Sequence, residues 1–525
     1  MKHNSIVRRG MSMLTALVLL VGMALSQNDL VITSTTSITN SGTIKVKGNI
    51  TNSGVAGATS IGGTVQLKNA GAQSIGTASN GAINFATLTI PASANNTKTF
   101  NVNSTVSSAI DIAASAGATS QYDVNGKTLT ISGTIANTGG ATTPYVFSGA
   151  SSTVNYAGAA QTVYAAGGLT YYNLTVSTAG GDKTLGGSVT VSNALTVSNT
   201  GVLAIGANTL TINGNTYDLL TGGTVKGGAS SNLTLNGSGD LASFAVTNGL
   251  NNLTLNRTGN TATLSADLSI EGAVTLTAGT LEVSTHTLTL NGTGAVVAGA
   301  GTLSSAATGT VNYSANAQDV FTANYGHLTF GTGLKTFPNA TVGIAGTLTK
   351  GTATYAMGSG TVDFNGTGSQ NIPQFTFNNL ITSAAGTKTA TGDLTVGGTF
   401  DNSTTLLMDT YALAITGAKD NTGGTIKFAG ASNGVPFNTG IISYNGDIAQ
   451  AVTAGTYNDL RFETANVALT DRTLTGVTVN TASNLTVPQY ISLQLNGAST
   501  LNITGSSTLT VNGDLQNAGT IDIGD

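Results

Sequence analysis

Between Gly187 and Gly214 the chain keeps a short beat. Apolar–small–apolar triplets begin at Val189, Leu195, Leu203 and Leu210, about one every seven residues. The linkers are Asn, Gly, Ser and Thr, which turn the backbone at low cost. The same beat returns at Leu268, Val274, Leu281 and Leu288. Alternation with a period of two puts one side chain in two inward. Each triplet therefore gives the core two apolar residues and shows a Thr, Ser or Ala outward. Three such strands make a coil of about 20–22 residues. The reading is an all-β fold, a right-handed parallel β-helix (β-solenoid). Roughly 24 coils stacked about 4.8 Å apart give a rod on the order of 110 Å long.

Length and composition agree with a repeat array. The chain has 525 residues, 70 of them Gly, with 8% charged residues and no Cys or Trp. Its 40% hydrophobic content is placed in alternation, which argues against disorder. The absence of cysteine rules out disulfides and thiolate metal sites. The formal net charge is −4, and no basic cluster is dense enough to hold nucleic acid.

Residues 1–26 read as a secretory signal peptide. Lys2, Arg8 and Arg9 precede the apolar run Met13–Met23, and Ala24-Leu25-Ser26 supplies small residues for a cut before Gln27. The run is short for a membrane span, and no span is expected in the mature chain. Removing this segment takes away three cations and no acid, which makes the net charge −7.

Residues 27–525 read as one continuous solenoid of six degenerate repeats of roughly 80 residues. Each carries an aromatic or apolar residue, two variable positions and Leu, usually followed by Lys-Thr. The copies are Phe85–Leu88 with Lys98, Tyr171–Leu174 with Lys183, and Leu250–Leu253, which lacks the Lys. Then come Tyr325–Leu328 with Lys335, Phe377–Leu380 with Lys388, and Tyr457–Leu460 with Arg472. A second marker stands ahead of most copies, a strand followed by a lone Gln: Gln73, Gln161, Gln318, Gln370 and Gln450. Tandem immunoglobulin-type sandwiches would also give an 80-residue period. Their strands recur every 8–12 residues, however, and no Trp or Cys marks such a core. The interval from Leu328 to Leu380 is only 52 residues, a loss a solenoid tolerates as about one coil.

Units such as Gly187–Asn213, with Leu-Thr-Val and Leu-Thr-Ile strands between Asn- and Gly-rich turns, resemble the β-helical repeats of bacterial surface adhesins. Filamentous-haemagglutinin and autotransporter-passenger repeats are the closest comparison. The resemblance implies a secreted adhesin of the bacterial envelope exterior, at the cell surface and outer membrane. Extracellular polysaccharide or a host or neighbouring-cell surface would be its partners. Family parts for secretion are missing: no two-partner secretion motif, membrane barrel or sorting domain is recognisable.

Chemistry is sparse along the chain. The mature chain has three Glu, at 271, 282 and 463. Glu271 and Glu282, on neighbouring strands, are the one pair to consider for glycoside cleavage, against a plainer reading as solvated outward residues. His286 and His327 lie on different repeats. No catalytic, metal or cofactor residues are assigned. The candidates for a ligand surface are Tyr171, Tyr172, Lys183, Tyr325, Lys335, Phe377, Lys388, Tyr457 and Arg472. The aromatics suit sugar stacking or, alternatively, core and corner packing, and the lysines suit a ligand contact or the covering of a turn. Outward Thr-x-Thr pairs, Thr209/Thr211 and Thr287/Thr289, are of the kind that makes flat ice-binding faces, but they are not kept in register coil after coil from one copy to the next, which argues against that role. The expected function is that of an exported, non-enzymatic, cell-surface structural or adhesive protein. The alternative is a carbohydrate-binding or polysaccharide-cleaving β-helix.

The two ends look alike. Gly48-Asn49-Ile50-Thr51-Asn52-Ser53-Gly54 matches Gly513-Asp514-Leu515-Gln516-Asn517-Ala518-Gly519. Terminal coils expose strand edges that need a cover. Either the natural chain continues past Asp525, or the last coil is covered by something else, head-to-tail stacking of the matching ends being one such cover.

Overall fold

A computed structural model describes residues 29–523, apart from short segments at 34–36, 53–56, 79, 93–95, 115–119, 167–168, 178–179, 307, 465–469, 482–484, 490, 498 and 504–507. The secretory segment proposed for residues 1–26 lies outside the described residues. The fold is an all-β solenoid of parallel strands, with about 22 turns against the roughly 24 expected. No helix among the described residues is long and apolar enough to cross a membrane.

Two compact units are distinguished. The first holds the described residues up to Ala204, with Asp218–Thr224. The second holds Ile205–Tyr217 and the residues from Val225 onward. In the first unit one ladder runs through Thr43–Val46, Thr59–Leu67, Ile83–Ile90, Ser104–Ile112, Thr128–Ile131, Thr153–Tyr156, Thr170–Val176 and Val189–Val197. In the second, Leu210, Leu233, Leu253 and Val274 stand opposite one another on successive strands. Their spacings of 23, 20 and 21 residues give the coil length directly. All four are buried. Each such aliphatic side chain contributes about 1.5–3 kcal/mol through burial.

The seven-residue beat is coarser in the structure than in the sequence. Val189 and Leu195 start one nine-residue strand, Val189–Val197, and Leu281 lies inside Val274–Glu282. The bends within these long strands are places where the register shifts, so two triplets on different faces share one strand.

Polar residues also stack inside. Thr382, Asn402 and Asn421 are fully buried on three successive coils. Thr382 Oγ1 donates to Asn402 Oδ1 at 2.5 Å, Asn402 Nδ2 to Asn421 Oδ1 at 2.6 Å, and Asn421 Nδ2 to the Ile441 carbonyl at 3.1 Å. Each amide donates to the coil below and accepts from the coil above. The ladder thus meets its own hydrogen-bonding needs.

Candidate functional site

The two sequence markers meet at the corners of the solenoid, in register. Gln73 stands opposite Lys98, Gln161 opposite Lys183, Gln318 opposite Lys335, Gln370 opposite Lys388 and Gln450 opposite Arg472. All five cations are buried, as are four of the glutamines; Gln161 is half-buried.

The glutamines answer a backbone need. Where a strand leaves its face, the carbonyl of the corner glycine falls out of the ladder, and a buried carbonyl requires a donor. Each Gln Nε2 donates to two carbonyls of the preceding coil: that of the last core residue, which also accepts a backbone N–H of the Gln coil, and that of the glycine two positions on, which depends on the glutamine. The pairs are Val46 and Gly48 for Gln73 (3.2 and 2.5 Å), and Ile131 and Gly133 for Gln161 (3.0 and 2.6 Å). They are Leu290 and Gly292 for Gln318 (both 2.8 Å), and Ile344 and Gly346 for Gln370 (2.8 and 2.9 Å). For Gln450 they are Phe428 and Gly430, at 3.0 and 2.8 Å. In four copies the Gln oxygen accepts a backbone N–H of its own coil, from Asn69, Gly158, Gly366 or Gly446.

In four copies the cation then serves the Gln coil as the Gln served the coil before it, whereas Lys183 Nζ donates to the Gly181 carbonyl of its own coil at 3.3 Å. Lys98 Nζ donates to the Asn69 and Gly71 carbonyls at 2.9 and 2.8 Å, and Lys388 Nζ to Gly366 at 2.6 Å. Lys335 Nζ donates to the Ala315 and Thr332 carbonyls and to Gln318 Oε1. Arg472 forks to Gly446 at 2.6 Å and Ile448 at 3.0 Å. Burial lowers the proton affinity of these groups, Lys98 to a pKa of about 8 and Arg472 to about 10.

The third repeat has neither marker, yet its corner is served. Arg257, fully buried, sends Nη2 to the Gly214 carbonyl at 2.5 Å, and Nη1 to the Gly239 carbonyl at 2.6 Å and Asn215 Oδ1 at 3.1 Å. One guanidinium reaches across two coils and does the work of a Gln and a Lys. Sequence reading missed it because Arg257 lies inside the strand Thr247–Leu264, only four residues after Leu253, where the lysines stand seven to ten residues after their leucines.

The aromatic candidates form a second buried device. Tyr156 and Tyr171 touch through their hydroxyls at 2.8 Å, Tyr313 and Tyr325 at 2.9 Å, Tyr444 and Tyr457 at 3.0 Å. In each pair the first hydroxyl accepts the backbone N–H of a corner residue, and the second donates to the carbonyl of that same residue. The corner residues are Tyr164, Phe321 and Thr453. Phe364 and Phe377 hold the matching place in the fifth repeat as an edge-to-face pair, with centroids 6.2 Å apart. Burial raises the tyrosine pKa values, those of Tyr156 and Tyr313 to about 12.

The proposed ligand surface is therefore corrected. Tyr171, Tyr325, Phe377, Tyr457, Lys183, Lys335, Lys388 and Arg472 are buried, and Tyr172 alone of the nine is partly exposed. The physical reason lies in the unmet corner carbonyls, which draw cations and phenols inward. The plainer readings, corner packing and the covering of a turn, describe these residues.

Other candidates stay apart. Glu271 accepts from Ser269 and Asn291, whereas Glu282 accepts the Ser284 backbone N–H. His286 lies 3.8 Å from Asp267, and His327 Nδ1 lies 2.8 Å from Thr347 Oγ1. Among the described residues no cluster of three His, Cys, Asp or Glu has metal-binding geometry. Thr211, Thr234, Thr254 and Thr275 do keep register along the outside of four coils. The neighbouring column reads Thr209, Asn232, Asn252, so the Thr-x-Thr pair itself is not repeated. No family model and no curated protein sequence matches this chain.

Proposed function

We propose that this chain is an exported, non-enzymatic structural or adhesive protein of the bacterial cell surface. One observation carries the reading. The residues that recur from repeat to repeat, Gln, Lys or Arg, and Tyr, are spent on the solenoid's own corner backbone. A chain that invests its recurring polar chemistry in stacking is built to hold a shape and present an outer face. That face is mostly Thr, Asn and Ser, with little charge, which suits display outside the cell. The N-terminal segment of cationic and apolar residues supports export.

The test is genetic and biochemical. Protease treatment of intact cells should degrade the protein, and its deletion should alter surface attachment or envelope structure. A cytoplasmic location, or a deletion strain unchanged in both properties, would overturn the proposal. Release of reducing ends from a polysaccharide panel, lost on substitution of Glu271 and Glu282, would establish the enzymatic alternative.

A further inference from the structure

An open groove of about 320 Å³ lies on the outside of the first unit. Ser60, Asn84 and Thr105 form one wall, and Gly62, Ala86 and Ser107 the other. The first three stand in register on three successive coils. They open a column that continues through Thr130, Asn155, Thr175 and Thr196.

The second wall exists because the strands bend there. Register jumps from Ile61 to Thr64 opposite Phe85 and Thr87, so the ladder skips Gly62, Gly63 and Ala86. One coil on it jumps from Val106 to Ala109 and skips Ser107 and Ser108. Bulges of this kind turn backbone polar groups out of the ladder. At Gly63 the bend needs glycine: φ is +64°, and a Cβ would lie 2.6 Å from the Gly42 carbonyl oxygen.

The lining selects a ligand class. No charged side chain borders the groove, so nothing in it favours an ion. Ile61 and Phe85 contribute to its floor but are 1% and 2% exposed, with their side chains committed to the core. The Phe85 carbonyl accepts from Ser107 Oγ at 3.3 Å and the Gly62 carbonyl from Asn40 Nδ2 at 3.5 Å, so what faces a ligand is chiefly the hydroxyls of Ser60 and Thr105 and the amide of Asn84, groups that donate and accept together. Such groups recur at the coil spacing of about 4.8 Å along the axis. We infer that the groove holds a short segment of a neutral glycan lying along the solenoid axis. The volume falls at the low end of the ~300–1,000 Å³ range of small-ligand sites. This inference deepens the adhesive reading above by naming a partner class, and rests on it for biological meaning only.

The experiment uses the purified chain and a panel of soluble neutral polysaccharides (glucan, mannan, chitin oligosaccharides), with alginate as the anionic comparator. Wild type should bind at least one neutral glycan and not alginate. Ser107→Trp, which fills the groove from an exposed position, should weaken that binding roughly tenfold or more. Thr234→Trp, on the outer face of the second unit, should leave it unchanged. Circular dichroism of both variants should match wild type. Absence of binding to every neutral glycan, or equal binding by Ser107→Trp, would overturn the groove assignment. A surface phenotype on deletion would then still support the structural reading. Groove-dependent binding accompanied by release of reducing ends would keep the site and overturn the non-enzymatic reading.

Discussion

Tyr313 Oη and Tyr325 Oη lie 2.9 Å apart in the core, and between them they satisfy both backbone groups of Phe321. Eleven residues of chain lie between the two tyrosines, and the loop they enclose is pinned at a single residue. Tyr325→Phe leaves the Phe321 carbonyl and the Tyr313 O–H unmet, at a cost of about 1–3 kcal/mol. Hydrogen exchange at the Phe321 amide should accelerate accordingly. The double change of Tyr313 and Tyr325 to Phe should cost less than the two single changes summed, since Phe364 and Phe377 already occupy the equivalent place.

Gln370 offers a sharper loss. Its amide is the donor for the Gly346 carbonyl, a second donor for that of Ile344 beside the Asn365 N–H, and the acceptor for the Gly366 N–H. Gln370→Ala should destabilise the surrounding coils by several times the ~1 kcal/mol of an ordinary hydrogen bond. Gln370→Glu should be worse than its size implies, because a carboxylate cannot donate to Ile344 and Gly346. Denaturant midpoints, with local exchange rates for residues 344–390, measure both.

Stability should depend on pH in two opposed stages. Lys98 titrates at about 8 in the fold and at 10.5 unfolded, so the unfolded chain holds the extra proton between those values. Its contribution is complete above 10.5 and is lost as pH falls through about 8. Tyr156 and Tyr313 move the other way, from 10.0 unfolded to about 12 folded. Their contribution is complete below 10.0 and is lost as pH rises through about 12. Unfolding midpoints followed from about pH 8 to 12 should rise and then fall. Lys98→Met should reduce the rise, leaving the share of the other buried lysines, and the fall should coincide with appearance of the phenolate ultraviolet band.

Arg257 should not tolerate lysine. Its guanidinium joins Gly214 and Gly239, on two different coils, and a single ammonium on a shorter stem cannot reach both. Arg257→Lys should therefore destabilise the second unit nearly as much as Arg257→Met. Thermal unfolding of the three proteins makes the comparison.

Much of the architecture was legible in the residues. The apolar–small–apolar triplets fixed strands, coil length and parallel stacking, because every buried aliphatic must find another one coil away. The inward turn of Lys98, Lys335 and Arg472 was not legible. A lysine in a Thr- and Gly-rich stretch reads as a surface charge, and the groups that draw it inside are backbone carbonyls, which no side-chain pattern displays. One clue was present: glycine stands two positions after the strand-ending core residue in the coil before each Gln, at 48, 133, 292, 346 and 430. The tyrosine pairs were hidden for another reason. Tyr156 belongs to one marker and Tyr171 to the next, and only the wound chain brings the two together.

The 52-residue interval also gains an explanation. From the corner cation to the glycine that opens the next repeat, the chain takes 35 residues after Lys98, 31 after Lys183, 35 after Arg257 and 42 after Lys388. After Lys335 it takes 11. The fifth repeat thus omits the connecting coil and keeps its own glycine, Gln and Lys.

Arg257 carries a lesson about how such a chain can change over time. Its single side chain stands where other repeats use two, so what a repeat must preserve is a set of thirsty oxygens rather than a spelling. Any side chain that quenches them is admissible, from either neighbouring turn. Lineages of this molecule can therefore drift apart letter by letter while every winding stays locked, and copies would be counted more faithfully by their acceptors than by their alignment.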